Sequence, residues 1–572
     1  MGNMKEKPPT IRTGVRGLRL FATVMVIALL PRLAILFTGQ RWLRSDEALV
    51  GLMAKHVVTR GETPWFLYGQ SYGGGHAMLA WVLAPFAALF GPTGPLVNGG
   101  AMIVSLANVA LLWFVLTRPG RWRPFQAAVA TVLYALAPAV IYQSFLANGG
   151  NVAFLFGLLS LHFFLRVAPE NAPTFRNGLL LGLTCGLAYY AMDYALVYAL
   201  TYALLVIPIW HRVLRSRALA GAAAGGCAGV APLLLYNVTH DWAHVRQMFL
   251  APSAPIPALA ARLPRALVDF FTRDGAALFT THLDDFPEKV PLGAGIHFGL
   301  FLGAVLVLVL DRRGWRKRPV ELICVAAIGV YLCLYALSKY SAEIFRTPRY
   351  FLPLYPFAAV LTAAALGRLA QSERDGDRPP AFRIRGRFPR LLFACFLGFL
   401  VFQALIEASK IASASAHREH KILTSGPAIG ELGAFLESRD IHRAIAPYEI
   451  QARLIAATNE QVLASCFYIS PLPRYAPYDV DALLEITSGK FAWACVFRRD
   501  FAFAKLGPAN LSRARWEREL GADGVSYRTT DIAEFVVYHQ FSHVPGVVRR
   551  MAHLAAREPQ KETARRTESS AR

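Results

Sequence analysis

Two adjacent carboxylates, Asp46 and Glu47, follow the first long apolar segment, in Arg44-Ser-Asp46-Glu47-Ala-Leu. Acids at the mouth of a membrane segment are costly unless they find partners, so they call for a reason. A carboxylate beside an acceptor hydroxyl can act as general base, and its neighbour can position it or hold a cation. A polar-aromatic run follows, Trp65-Phe-Leu-Tyr68-Gly-Gln70-Ser-Tyr72-Gly-Gly-Gly-His76. Tyr68, Gln70, Tyr72 and His76 are therefore candidates for contacting an acceptor or substrate. The pattern predicts an irregular loop carrying two acids beside a lipid surface, suited to chemistry on a lipid-borne substrate. The plain alternative is a solvated connection between two helices.

Two further places carry charge against their surroundings. Asp193, in Ala188-Tyr-Tyr-Ala-Met-Asp193-Tyr-Ala, stands at a turn between apolar segments, where its charge is penalised unless used; a carboxylate snorkelling from a helix end is the alternative. Lys339-Tyr-Ser-Ala-Glu343-Ile-Phe-Arg346-Thr-Pro-Arg349-Tyr350 brings three cations and a tyrosine into one short stretch. Arginine grips phosphate with a fork of donors and lysine adds a point charge, so Lys339, Arg346, Arg349 and Tyr350 are candidates for binding a phosphate; interfacial anchoring is the alternative. His282 with Asp284 and Asp285 offers ligands for a divalent cation, at a spacing that matches no firm template, and a solvated loop is the more ordinary reading. No metal site is assigned. Cys466 and Cys495 are the two cysteines outside the apolar segments and are candidates for a disulfide. Asn237-Val-Thr and Asn510-Leu-Ser fit the glycosylation sequon, which is common by chance.

The elements that must position these residues are membrane helices. The chain has 572 residues, 55% hydrophobic and only 17% charged, with a mean hydropathy of +0.37. That composition describes a polytopic membrane protein with room for one large polar domain. The formal charge of +23 would suggest nucleic acid in a soluble protein. Here it sits largely in short loops between apolar segments, where the positive-inside rule accounts for it, and no nucleic-acid partner is expected. Apolar segments fall near 18–38, 98–117, 124–142, 151–167, 177–191, 194–210, 218–236, 294–310, 319–338, 350–369 and 390–407, which makes about eleven spans. The first is too long, and lacks the small-residue cleavage site, for a signal peptide.

The basic clusters then alternate sides and place the N-terminus in the cytoplasm. His76 to Phe90 is apolar but short and contains Pro85, and it reads as a helix lying at the interface. Residues 39–97 become a first external loop and residues 237–293 a second. Residues 1–407 form the transmembrane domain. Residues 408–546 alternate helical and strand-like patterns, around 432–437, 444–447, 449–456, 462–468, 491–497, 525–527 and 534–538, and read as an external α/β domain. Residues 547–572 read as a basic disordered tail.

Asp46-Glu47-Ala after a first span, then Tyr68-Gly-Gln70-Ser-Tyr72-Gly-Gly before an apolar helix ending Leu89-Phe90-Gly91, resembles the GT-C glycosyltransferases. The nearest branch is that of the bacterial protein O-mannosyltransferases and aminoarabinose transferases. Arg349-Tyr350-Phe-Leu-Pro-Leu-Tyr355-Pro356 is similar to that branch's late motif, and Pro232 to Asn237 to a patch in bacterial members. The resemblance covers roughly residues 18–407. It implies a GT-C-like fold and inverting transfer of a sugar from a polyprenyl-phosphate carrier to a glycan, lipid or protein acceptor on the external face. It also implies Asp46 as base, with Arg346, Arg349 and Tyr350 at the lipid phosphate. In a bacterium that face is the periplasmic side of the inner membrane, and membrane lipids surround the spans. Many relatives carry a second acid just before the interfacial helix. Here that neighbourhood reads Gly74-Gly75-His76, which leaves Glu47 or Asp193 to supply the charge.

Two readings compete with a transferase. A transporter or flippase of lipid-linked saccharides would use the same charges, but no inverted repeat shows in the hydropathy. A non-catalytic scaffold of an envelope glycan assembly would leave the external domain as the working part.

Overall fold

The structure, a computed structural model, describes residues 15–38, 43–167, 174–209, 216–246, 264–265, 268–271, 295, 298–299, 301–303, 305–306, 319–337, 352–371, 395, 398–399, 402, 405–406, 409, 426–466, 475–499 and 512–556. Its larger part is a bundle of apolar helices. In chain order they are α1 (Val15–Thr38), α2 (Ser45–Thr59), α3 (Gly74–Phe90), α4 (Gly94–Thr117), α5 (Pro124–Ala135), α6 (Pro138–Gln143), α7 (Gly149–Val167), α8 (Phe175–Ala191), α9 (Leu196–Val206), α10 (Arg217–Thr239), α11 (Pro319–Leu337) and α12 (Tyr355–Gln371). Proline opens α4, α5 and α6, where its missing N–H is no loss. Among the described residues, α1, α4, α7 and α10 are long and apolar enough to cross a membrane, and α3, α5, α9, α11 and α12 are shorter apolar helices. A multi-pass membrane protein with a mostly helical fold results.

Two devices hold the bundle together where hydrophobicity cannot discriminate between helix and lipid. Gly178, Gly182 and Gly186 of α8 face Gly221, Gly225 and Gly229 of α10. A Cβ on Gly182 would come within 2.0 Å of the Ala222 carbonyl oxygen, and one on Gly225 within 2.0 Å of Leu179 O. The two backbones touch because neither carries a side chain there, the small-residue packing typical of membrane helices. Arg32 of α1 is fully buried, and its Nη1 donates to Ala28 O (2.7 Å) and to Ala135 O (3.0 Å). Ala135 ends α5, so the cation meets carbonyls that the helix leaves unpaired.

The smaller part is a five-stranded mixed sheet in the order β2-β1-β3-β5-β4. Its elements are α13 (Gly426–Ser438), β1 (Arg443–Ile445), α14 (Tyr448–Ala457), β2 (Leu463–Ser465), α15 (Ala476–Thr487), β3 (Trp493–Arg498), α16 (Arg513–Ala522), β4 (Arg528–Ile532) and β5 (Phe535–His539). β1 runs parallel to β2 and β3, while β5 runs antiparallel to β3 and β4. The period-2 pattern divides the strands between two cores. Ile445, Cys495, Phe497, Val536 and Tyr538 pack with Trp516 and Leu520 of α16. Ala444, Ala494, Val496, Phe535 and Val537 pack with α13 and α14, and that core continues into Leu49, Leu52 and Met53 of α2 and Leu79 and Leu83 of α3. The sheet domain and the first loop thus share one hydrophobic core.

Several expectations need correction. The stretch 39–97 is no irregular loop: α2 and α3 occupy most of it, and Asp46 and Glu47 stand in the first turn of α2. Residues 546–556 are helical, with Val547, Val548, Met551 and Ala555 buried, so the folded domain continues past 546 and a disordered tail cannot begin at 547. The expected strand at 525–527 lies at Arg528–Ile532. Cys466 and Cys495 are both free and buried. Cys466 follows β2 and Cys495 lies in β3, with β1 between them, so roughly 9–10 Å separates their strands, beyond disulfide reach. Asn237 is buried with its amide Nδ2 donating to Leu233 O (3.0 Å), which leaves it inaccessible to glycosylation. Asn510 and His282, Asp284 and Asp285 lie outside the described residues.

Candidate active site

α2 begins at Arg44, which is extended (φ −80°, ψ 173°) and offers no side-chain cap, so the first turn relies on its own acids. Asp46 and Glu47 there interact favourably with the positive end of the helix. Their environments differ. Asp46 is half-buried, and its Oδ1 accepts a short hydrogen bond from the Tyr448 hydroxyl, the first residue of α14. Glu47 points into the shared core at 5% exposure, and its Oε2 has no hydrogen-bond partner among the described residues. Burial pushes the Glu47 carboxyl up to about 7, with Arg44 opposing and Asp46 reinforcing the shift. Glu449, next to Tyr448, is raised by burial and by the Asp46 charge. One turn further along α14, buried Arg453 is lowered to about 10 by desolvation, with the nearby Glu47 opposing that shift. Arg44 itself lies over the Tyr142 ring at 4.9 Å, at the end of α6.

A second group gathers around Asp193, which opens a single 3₁₀ turn between α8 and α9. His244, nearly fully buried, places Nε2 3.6 Å from Asp193 Oδ1. Its Nδ1 lies 2.7 Å from Ser71 O, a distance at which Nδ1–H donates and Nε2 is left to face the acid. Ser71 Oγ lies 3.2 Å from the Tyr236 hydroxyl, and Tyr236 stacks on His240 at 4.0 Å. His76 is buried and lies 2.9 Å from Gly73 O through Nδ1. Burial raises the Asp193 carboxyl to about 6, while His244 opposes the rise.

The glycines of the polar-aromatic run explain how this group is assembled. Gly73 has φ +73°, a conformation other residues adopt at a cost, and it turns the chain into α3. A Cβ on Gly75 would lie 2.5 Å from Gly149 Cα, and one on Gly74 would strike the Tyr190 ring. The start of α3 is therefore seated directly against α7 and the end of α8, beside Asp193. The two acid groups are linked through α6 and α7. Gln143 follows Tyr142, and a Cβ on Gly150 would meet Tyr194 Oη at 2.6 Å, Asn148 Oδ1 at 3.0 Å and Gln143 Nε2 at 3.4 Å.

The structure therefore brings Asp193 and His76 to one neighbourhood, and Asp46 and Glu47 to an adjacent one. Tyr72 is half-buried next to Ser71. Gln70 closes a turn, its N–H donating to Leu67 O (3.0 Å). Tyr68 goes elsewhere: its hydroxyl donates to Glu62 and lies 3.0 Å from His56 Nδ1, in the seam with the sheet domain. Lys339, Arg346, Arg349 and Tyr350 lie outside the described residues. Sequence reasoning missed Tyr448, Glu449, Arg453 and His244. Nothing local marks the first three. His244 follows His240 at i+4, a spacing that could have drawn notice. Among the described residues, no three His, Cys, Asp or Glu side chains gather as metal ligands.

No family model matches the chain, and no curated protein matches it. Solved structures do. The chain resembles the crystal structure of ArnT from Cupriavidus metallidurans in the apo state, with a TM-score of 0.58 and 15% identity over 91% of this chain and 97% of that one. The same ArnT bound to undecaprenyl phosphate gives a TM-score of 0.58 and 14% identity over 92% and 98%. ArnT is a GT-C glycosyltransferase, an aminoarabinose transferase, and this chain shares its fold.

Proposed function

We propose that this chain is an integral-membrane glycosyltransferase that moves a sugar from a polyprenyl-phosphate carrier to an acceptor on the external face. The observation that carries the reading is the placement of Asp46. It is a half-buried acid at the start of a buried helix, between the membrane bundle and a polar domain, in a chain with the fold of ArnT. That ArnT has been captured with undecaprenyl phosphate supports a polyprenyl-phosphate donor here.

In the proposed reaction the acceptor hydroxyl gives its proton to Asp46 as its oxygen attacks the anomeric carbon. The bond from that carbon to the phosphate oxygen breaks, and its electron pair leaves on the polyprenyl phosphate. The leaving group is already an anion, so no general acid is needed, and configuration inverts in a single displacement. Lys339, Arg346, Arg349 and Tyr350 hold the lipid phosphate. Asp193, His76, Tyr72 and Gln70 line the substrate side. The domain division retains its broad form, with a transmembrane part up to about residue 407 and a sheet domain after it. About eleven spans, a cytoplasmic N-terminus and a sheet domain in the bacterial periplasm complete the proposal, on the placement of arginine and lysine in the loops.

The test is transfer by the purified protein. A synthetic polyprenyl-phosphate sugar, labelled in the sugar, is incubated with a membrane extract as acceptor source. Label appearing in an acceptor, with release of polyprenyl phosphate, is expected. Donor crossing a liposome bilayer intact, with no sugar transferred, would instead establish a flippase.

A further inference from the structure

We infer that Tyr448 of the sheet domain is a positioning residue for Asp46, so that the transfer site is completed only when that domain is docked. The inference rests on the proposed role of Asp46 as base and extends it across a domain boundary.

The geometry is specific. Tyr448 donates to Asp46 Oδ1, and that is the one polar contact Asp46 makes among the described residues. A carboxylate with one oxygen held by a hydroxyl has its plane and its second oxygen fixed, so Oδ2 presents its lone pairs in one direction. A free aspartate on the first turn of a helix would sample several rotamers. The ring of Tyr448 is anchored by packing against the core that α2, α3 and the sheet share. Glu449 and Arg453 lie near the same two acids, the first raised in part by Asp46, the second facing Glu47. Three side chains of one helix thus converge on the acids of another, across a sequence separation of about 400 residues.

The docking that brings α14 there is independently secured at the far end of α2. Glu460 lies 2.5 Å from both Lys55 Nζ and Arg60 Nη2, and 2.9 Å from His56 Nε2. Tyr478 joins His56 at 2.9 Å and Glu460 at 2.8 Å. Tyr448 therefore does not hold the domain in place. Its contact with Asp46 is surplus to docking, which is the mark of a residue serving the site.

The experiment is a double-mutant cycle read in transfer kinetics, on the full-length protein with the labelled polyprenyl-phosphate sugar. Tyr448→Phe keeps the packed ring and removes only the hydroxyl, so the fold is retained, and thermal unfolding in detergent checks it. Expected are a fall in kcat of roughly 10-fold, the size of one lost charge-assisted hydrogen bond, and an unchanged KM for the donor. On an Asp46→Asn background the same change should produce no further loss, because Tyr448 acts through Asp46. Wild-type kcat in Tyr448→Phe, while Asp46→Asn is inactive, overturns the positioning role and leaves the base assignment intact. The same 10-fold fall on both backgrounds overturns it too, since Tyr448 would then act without Asp46. Full activity in Asp46→Asn overturns the base assignment itself, and this inference with it.

Discussion

The two ends of α2 make opposite use of charge. At its last turn, His56 is fully buried yet meets Tyr68, Glu460 and Tyr478, while Lys55 and Arg60 close on the same Glu460. Burial works against the Glu460 anion, but hydrogen bonds from His56, Lys55 and Tyr478 outweigh it and hold its carboxyl well below the ordinary 4.5. At the first turn, Glu47 is equally buried, has an oxygen with no hydrogen bond, and is pushed up to about 7. One end is a satisfied network, which rigidifies an interface. The other keeps an unsatisfied, displaced acid next to Asp46, the arrangement expected where chemistry rather than stability set the residues. The helix that docks the sheet domain at one end presents the proposed base at the other.

The largest effect should come from the first turn. Asp46→Asn keeps size and hydrogen bonding but removes the base, and transfer should fall by about 10²–10⁴-fold in single-turnover assays while donor binding persists. An undiminished rate with normal membrane insertion would move the role to Asp193.

At the last turn, Glu460→Ala leaves three cations without their anion and should destabilise docking by about 3 kcal/mol. Faster proteolysis of the sheet domain is the readout. The pH dependence follows from the lowered carboxyl. Its contribution is fully present above the unfolded value near 4.5 and is lost as pH falls through the lower folded value. The wild type should therefore show an acid limb in its stability that Glu460→Ala lacks. Identical acid limbs would mean that the network does not hold the domain.

Glu47 has the reverse sign. Its folded value, about 7, lies above the ordinary 4.5, so the folded state binds the proton more tightly. Stability is full below about pH 4.5 and declines as pH rises towards 7. Glu47→Gln removes that penalty and should stabilise the protein at pH 8 by on the order of 3 kcal/mol at most, with no gain at pH 4. Melting temperatures in detergent at the two pH values test it. An equal shift at both would mean that packing, not charge, is responsible.

The smallest effect is expected furthest from α2. Arg349→Lys keeps the charge and loses the fork, and should weaken donor binding by about 1–3 kcal/mol. Equal donor affinity in the two proteins would count against a phosphate contact and favour interfacial anchoring.

Much of the fold is legible because hydrophobic patterns are local. The apolar runs at 98–117 and 151–167 reappear as α4 and α7, and the strands of the sheet domain follow period-2 alternation. Prolines at 124 and 138 announce helix starts. The helix α2 was not legible as a helix. Its residues from Glu47 to Ala54 are buried on all sides, so no amphipathic stripe exists to read, and the polar acids at its start mimic a loop. Residues 546–556 failed for the converse reason, since charged residues outnumber the few apolar ones that fix the helix to the sheet.

The sequence alone determined which residue types stand beside the membrane: two acids after the first span, a lone aspartate at a turn, and glycines where α3 begins. Composition and spacing suffice for that, because the cost of charge near lipid is a property of the residue and its segment. Only the tertiary structure decided which acids share a site and with whom. Asp46 meets Tyr448, Glu47 faces Arg453 and Asp193 pairs with His244 because two parts of the chain bury a common core. Tyr68, equally prominent in the sequence, is drawn by the same docking into the seam beside His56. Contacts across some 400 residues leave no local trace, since any hydroxyl or cation looks alike until packing brings it to its partner.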